Sequence, residues 1–392
     1  MKKVFSAIFV LLAFLITISG LFGFSSKKLA LADANELEFK SKSVYLIDSN
    51  TGTVIFSKNE KEKLPIASMC KIMTLLLCFD EIEAGNLDFN EEITISETAA
   101  GMGGSQVFLE TNGKYKVNEL IKSIVVASAN DACVALAERI RGSQSEFVNK
   151  MNQKASELNM DNTVFVNCTG LPQPGQYSCA KDVSKMFNEL LTHQDYFNYS
   201  RIWMDKIHHK NDRITEISNT NKLVRFYNGC DSGKTGYTSE AGHCLAASAI
   251  RGGMRLVAVV ISSPDSKTRF NEVSSMFNYG FANYVNKKII DQTTPLEIKV
   301  DVVGGKKETL EVVAEKSSYI FCHKNEKRAV EIEFTPISRV KAPVKKGEVV
   351  GQLNVYENGK EIDSVNVIAN ENIAQKTYFD VITDIGNNWA LI

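Results

Sequence analysis

No Cys-x-x-Cys pair occurs among the eight cysteines, which stand at 70, 78, 133, 168, 179, 230, 244 and 322. The close-spaced ligand pairs of a structural zinc site are therefore missing. Neither sign of charge is in excess, since 45 Lys+Arg stand against 46 Asp+Glu, for a formal net charge of -1. That balance offers no basic field for nucleic acid and no acidic block of the kind that forms a solvated tail. At 392 residues the chain exceeds one compact core and suits two domains with appendages.

Against these absences, the amino terminus is strongly patterned. Residues 1–32 begin M-K-K, continue through a long apolar run, and end with Ala30 and Ala32 in an A-x-A site. This order reads as a secretory signal peptide; a retained membrane helix is the alternative, because the run approaches bilayer-spanning length. Either way the bulk of the chain is exported, to the cell envelope or beyond. Export permits disulfides. Cys70, Cys78 and Cys133 nevertheless lie in apolar segments of helical character, where a free thiol behaves as a small buried hydrophobe, so mostly free, buried cysteines are expected.

Residues 44–57 are two β-rich runs around Asn-Thr-Gly, the pattern of a hairpin. After Pro65, residues Met69, Ile72, Met73, Leu76 and Phe79 recur at helical spacing. Ser68 and Lys71 fall at the start of that helix, three apart and so on one face. Ser-x-x-Lys recurs at Ser25/Lys28, Ser178/Lys181 and Ser338/Lys341, but none of those lies on a buried helix start. The spacing has a chemical use: a serine is a weak nucleophile until an adjacent base takes its proton, and a lysine can be that base when its pKa is depressed.

Two more motifs follow. Ser128 and Asn130 sit where one apolar stretch breaks and a helical pattern begins; alone they would read as a helix cap. Lys234-Thr235-Gly236, a tripeptide that occurs once in the chain, enters a run of small and apolar residues that reads as a strand. Lys and Thr can bind a carboxylate, and Gly lets the backbone approach a ligand closely.

Ser-x-x-Lys, Ser-x-Asn and Lys-Thr-Gly in this order form the set of serine β-lactamases and penicillin-binding proteins. Within that superfamily the chain most resembles the low-molecular-mass serine D-alanyl-D-alanine carboxypeptidases, over about residues 38 to 370. A-A-G-M-G-G-S-Q-V-F-L-E (99–110), G-L-P-Q-P-G-Q-Y-S (170–178), N-T-N-K-L (219–223) and G-Y-T-S-E-A-G (236–242) support the narrower match.

The resemblance implies an α+β fold: a β-lactamase/DD-peptidase-like core, an antiparallel sheet flanked by helices, followed by a small β-rich domain. It implies Ser68 as nucleophile, Lys71 as its proton acceptor and Ser128 as the relay to the leaving amine. Asn130 would hold the substrate amide and orient Lys71. Lys234, Thr235 and Gly236 would bind the terminal carboxylate, and the backbone N–H groups of Ser68 and Tyr237 would form the oxyanion hole. The substrate would be a peptidoglycan stem peptide ending in D-Ala-D-Ala, with β-lactams acylating the same serine and no metal or organic cofactor required. An inactive wall-binding protein and, less favoured for want of the deacylating Glu of class A enzymes, a β-lactamase are the alternatives. Asp231-Ser232-Gly233 departs from the usual Asp-Gly-apolar lead into the third motif, which leaves the placement of Lys234 open. Cys70, inside the first motif, is read as packing.

The expected organisation is a signal peptide at 1–32, a catalytic domain at 33–288, a β-rich domain at 293–370 and an amphipathic helix at 371–392. Tyr378, Val381, Ile382, Ile385, Trp389 and Ile392 fall on one helical stripe, but Asp380 and Asp384 outnumber Lys376. Peripheral membrane contact and docking on the β domain both remain open for it. His323 is read as a surface or partly packed residue rather than a ligand.

Overall fold

The computed structural model describes residues 38–337 and 339–389. The expected signal peptide and Ser338 lie outside the described residues. Strands β1 (Ser43–Asp48), β2 (Val54–Lys58), β3 (Cys230–Thr238), β4 (Gly242–Arg251) and β5 (Met254–Ser263) form a five-stranded sheet in the order β2-β1-β5-β4-β3. Every neighbouring pair is antiparallel. The hairpin at the start of the chain thus joins three strands that arrive some two hundred residues later.

Both faces of the sheet are covered, which is why β5 reads as a nearly continuous apolar run, M-R-L-V-A-V-V-I-S-S, rather than an alternating one. Val257, Val259 and Ile261 face a large core with α1 (Lys71–Glu83), α2 (Val117–Ala127), α3 (Asn130–Arg141) and α4 (Ala180–Leu190). Leu256, Ala258 and Val260 face a second core under α5 (Ser266–Asn283). Val273, Met276 and Phe277 of α5 sit on that side, and Gly280 completes the stripe because a Cβ there would stand 2.5 Å from Leu256 Cδ1.

Helix α1 is central. Met69, Ile72, Met73, Leu76 and Phe79, the residues whose spacing marks it in the sequence, are all buried. A 3-10 turn, Ala67–Cys70, leads into it, and this turn carries Ser68. All eight cysteines are free and buried.

The C-terminal region is β-rich and has its own apolar core, which includes Val302, Val355, Val365 and Val367. A four-stranded sheet there orders Val312–Ala314, Lys360–Ala369, Val349–Glu357 and Glu331–Pro336. The strand Tyr284–Ile290 pairs with Ser318–His323, and Tyr284 stacks on Phe321 with centroids 5.0 Å apart. His323 is half-buried with its ring against Tyr284. A last helix, Tyr378–Trp389, leaves Tyr378 and Phe379 77% and 80% exposed.

Candidate active site

The first motif is assembled locally. Ala67 adopts a left-handed φ of 47°, which turns the chain so that Ser68 emerges half-buried while Lys71 points inward on α1. Lys71 Nζ lies 2.9 Å from Ser68 Oγ and donates to the Thr169 carbonyl at 2.5 Å. The amine is fully buried, and burial holds its pKa below the ordinary lysine value. A lysine so placed can accept a proton.

The second motif sits at the junction of α2 and α3. Ser128 ends α2 with a left-handed φ of 62°, a conformation that costs a non-glycine residue about 1 kcal/mol and is common where function over-determines the backbone. This orientation sends its hydroxyl to Lys234 Nζ, 2.8 Å away. Lys234 also donates to the Thr235 carbonyl at 3.0 Å and is buried. Burial, followed by the nearby charge of Lys71, holds its pKa well below the usual lysine range. Two serine–lysine pairs therefore face one another, and neither amine is bonded to a carboxylate among the described residues. Such a pocket favours an incoming anion and favours one amine being neutral.

Lys234, Thr235, Gly236 and Tyr237 lie in register with Ala246, Leu245, Cys244 and His243 of β4. The unusual lead-in is absorbed upstream of them. The ladder shifts register between Cys230 and Ser232, and the buried Ser232 hydroxyl meets Ser248 at 2.8 Å. Asp231 is clamped by two 2.8 Å bonds from Arg255. A Cβ at Gly233 would approach the Asn221 carboxamide and the Ala246 carbonyl, so glycine is required one residue before the lysine.

Gly236 brings β3 against the nucleophile turn. A Cβ there would stand 2.6 Å from the Ile66 carbonyl and 3.1 Å from the Ser68 amide nitrogen. The main chain on either side of this contact holds the two N–H groups expected to bind an oxyanion. Thr235 and Tyr237, two apart on the strand, share one face. The Tyr237 ring is 59% exposed and stacks on His243 with centroids 4.4 Å apart.

Asn130 departs from expectation in one contact. Its Nδ2 donates to the Gly103 carbonyl at 2.7 Å, and its buried Oδ1 has no partner among the described residues. Lys71 instead meets Ser68 and the Thr169 carbonyl, while the Asn130 Nδ2 is turned to the Gly103 carbonyl. The unpaired Oδ1 is a buried acceptor left available to an incoming donor. The neighbouring Asp131 carboxylate fixes the same loop by accepting the N–H groups of Val107 and Leu109, each at 3.1 Å.

Sequence reasoning did not identify Thr169, Asn167, Asp131 or Arg269. Arg269 is buried on α5 and donates to the carbonyls of Gly236 and Cys244, each at 3.1 Å, bracing the strand behind the third motif. Burial pushes its guanidinium down to about 10.

Comparison with known proteins agrees with this geometry. The sequence profile of the D-alanyl-D-alanine carboxypeptidases matches residues 30–265, and that of the penicillin-binding protein 5 C-terminal domain matches residues 284–375. The D-alanyl-D-alanine carboxypeptidase DacF of Bacillus subtilis is 37% identical over 91% of this chain and 92% of its own length. The D-alanyl-D-alanine carboxypeptidase DacC of Escherichia coli is 31% identical over 86% of each. The crystal structure of penicillin-binding protein 5 from Haemophilus influenzae superposes with a TM-score of 0.67 at 28% identity, covering 86% of this chain and 98% of that one. A profile covering most of the chain, these relatives and the paired serines and lysines lead to one assignment: the chain belongs to the D-alanyl-D-alanine carboxypeptidase family of serine peptidases.

Proposed function

We propose that the two serine–lysine pairs divide the work of a serine D-Ala-D-Ala carboxypeptidase. The observation that carries this reading is the pairing itself: Lys71 on Ser68 at 2.9 Å and Lys234 on Ser128 at 2.8 Å, both amines buried. Lys71 takes the Ser68 proton as Oγ attacks the carbonyl between the two D-alanines. The oxyanion that forms accepts from the Ser68 and Tyr237 amides, where each such donor is worth about a hundred- to a thousandfold in rate. Collapse of this intermediate breaks the peptide bond, and Ser128 relays to the departing D-alanine amine the proton that Lys71 took, which returns Lys71 and Ser128 to their starting states. Water then hydrolyses the acyl-enzyme and Ser68 is regenerated.

Lys234 and Thr235 hold the terminal carboxylate, with Gly236 allowing the strand to close on it. Asn130, through its unpaired Oδ1, receives the backbone N–H of the stem peptide. A β-lactam acylates Ser68 along the same path, and slow escape of its adduct makes it an inhibitor. The substrate is thus a peptidoglycan stem peptide ending in D-Ala-D-Ala.

The reading extends to the whole chain as a signal peptide at 1–32, a catalytic domain at 33–288 and a β domain at 293–370, acting at the outer face of the cytoplasmic membrane or beyond. The exposed Tyr378 and Phe379 support peripheral membrane contact by the last helix. No described helix is long and apolar enough to cross a membrane. The functional test is release of D-alanine from a peptide ending in D-Ala-D-Ala, expected from the wild-type protein and abolished in Ser68→Ala. Undiminished release by Ser68→Ala sinks the reading.

A further inference from the structure

Three consecutive main-chain carbonyls, those of Asn167, Cys168 and Thr169, each receive a side chain from the start of α1. Cys70 Sγ reaches the first at 3.2 Å, Thr74 Oγ1 the second at 2.7 Å and Lys71 Nζ the third at 2.5 Å. Successive carbonyls of an extended chain point to opposite sides, so three that face one helix require a turn. The Asn167 side chain builds it. Its Oδ1 accepts the Thr169 N–H at 3.2 Å, the Thr169 hydroxyl at 3.2 Å and the Gly170 N–H at 2.7 Å, while its Nδ2 donates to the Leu171 carbonyl at 3.0 Å. Gly170 closes the turn with φ 80°, pressed so tightly on the nucleophile turn that a Cβ would stand 2.0 Å from the Ala67 carbonyl.

From this geometry we infer that Asn167 is a positioning residue for Lys71: its carboxamide shapes the 167–170 turn so that the Thr169 carbonyl holds the lysine amine on the Ser68 hydroxyl. The inference rests on the reading of Lys71 as the base. It adds a residue that touches neither substrate nor nucleophile and acts through one carbonyl. A lysine stem has many rotamers, and a second fixed acceptor beside Ser68 selects the productive one. Thr74, buried one turn along α1, fixes the neighbouring carbonyl and so supports the same device.

The turn also keeps water from the amine. The groups that face Lys71 are Ser68 and Cys70 from its own segment, Asp131 and Cys133 from α3, Cys168 from the turn and Lys234 from β3. Burial is the main cause of its lowered pKa, so opening the turn raises that pKa and moves the acid limb of the acylation rate to higher pH.

The test is the second-order rate of acylation by a fluorescent penicillin across pH 5 to 9, measured on full-length protein with melting curves alongside. Asn167→Ala is expected to acylate about tenfold to a hundredfold more slowly, with its acid limb displaced by at least about half a pH unit. Thr74→Val, isosteric but lacking the donor, is expected to move the limb in the same direction by less, and Thr74→Ser to restore it. Thr74→Val alone decides the matter if Asn167→Ala does not fold. A folded Asn167→Ala or Thr74→Val protein whose rate falls with an unmoved limb overturns the inference while leaving Lys71 as base. Acylation that persists in Lys71→Ala overturns both.

Discussion

Lys234 Nζ lies 2.8 Å from Ser128 Oγ, although the two residues are 106 positions apart in the chain. The contact ties the strand that carries the third motif to the helix junction that carries the second. It also leaves a buried lysine amine with only neutral partners, a place suited to an incoming anion. Removing either partner therefore disturbs the other. Lys234→Ala and Ser128→Ala are each expected to lower the acylation rate by about a hundredfold, with the double variant well above the product of the two. Charge-assisted hydrogen bonds of this kind are worth about 1.5–3 kcal/mol, and a coupling of that size should appear in a double-mutant cycle. Strictly additive effects would show that the two side chains act independently.

Gly170 should tolerate no side chain. Its φ of 80° and the Ala67 carbonyl 2.0 Å from a built Cβ combine backbone strain with a main-chain clash. Gly170→Ala is expected to lose about 2 kcal/mol or more of stability and most of its acylation rate, read by denaturant melts and penicillin labelling. A native melt with native labelling would mean that the turn and the nucleophile segment do not pack as described.

Stability at acid pH should depend on His193, which is buried with Nε2 3.2 Å from Asp80 Oδ1 and Nδ1 3.3 Å from Glu83. Burial works to lower its pKa, but the two carboxylates outweigh burial and raise it above the ordinary histidine value. A raised folded pKa means that the contribution is complete below the unfolded value, near about 6.5, and is lost as pH rises through the folded one. His193→Gln should thus lower the melting temperature more at pH 5.5 than at pH 9. An equal loss at both, or a larger one at pH 9, would contradict the sign.

The last helix should bind lipid weakly and with little dependence on lipid charge. Tyr378 and Phe379 present apolar surface, but Asp380 and Asp384 outnumber Lys376. Full-length protein is expected to co-sediment with phosphatidylcholine vesicles about as well as with phosphatidylglycerol vesicles, and a Tyr378→Ser/Phe379→Ser variant to lose most of that binding. Each aromatic contributes about 1.5–3 kcal/mol when fully buried. No sedimentation of the wild-type protein with either vesicle would remove the membrane reading.

The parts of the site legible in the sequence are those whose chemistry lies in side chains at fixed local spacing. Ser68 and Lys71 meet because residues three apart at a helix start share a face, and the run of small and apolar residues that Lys234-Thr235-Gly236 enters announces a strand. Thr169 could not be read this way, because it serves Lys71 through a main-chain carbonyl, which every residue has. Asn167 is one step further removed. Arg269 looks like an ordinary polar position on a helix until α5 packs it against Gly236, 33 residues earlier. Asn130 is the expected residue type, but its Nδ2 bonds Gly103 of the 103–109 loop, whose path is a tertiary matter, and Lys71 bonds Ser68 and Thr169 instead. The apolar periodicity of α1 and of the strands marked the elements themselves. The order of the sheet, with β1 beside β5, depends on pairing across two hundred residues, for which local pattern holds no signal.

Ser68, activated by Lys71, is the residue that should be acylated. The most direct measurement is to react the protein with penicillin, digest it, and locate the added mass by peptide mass spectrometry. A single adduct is expected on the peptide bearing Ser68, absent in Ser68→Ala and strongly reduced in Lys71→Ala. An adduct on another residue, or one that survives Ser68→Ala, would contradict it.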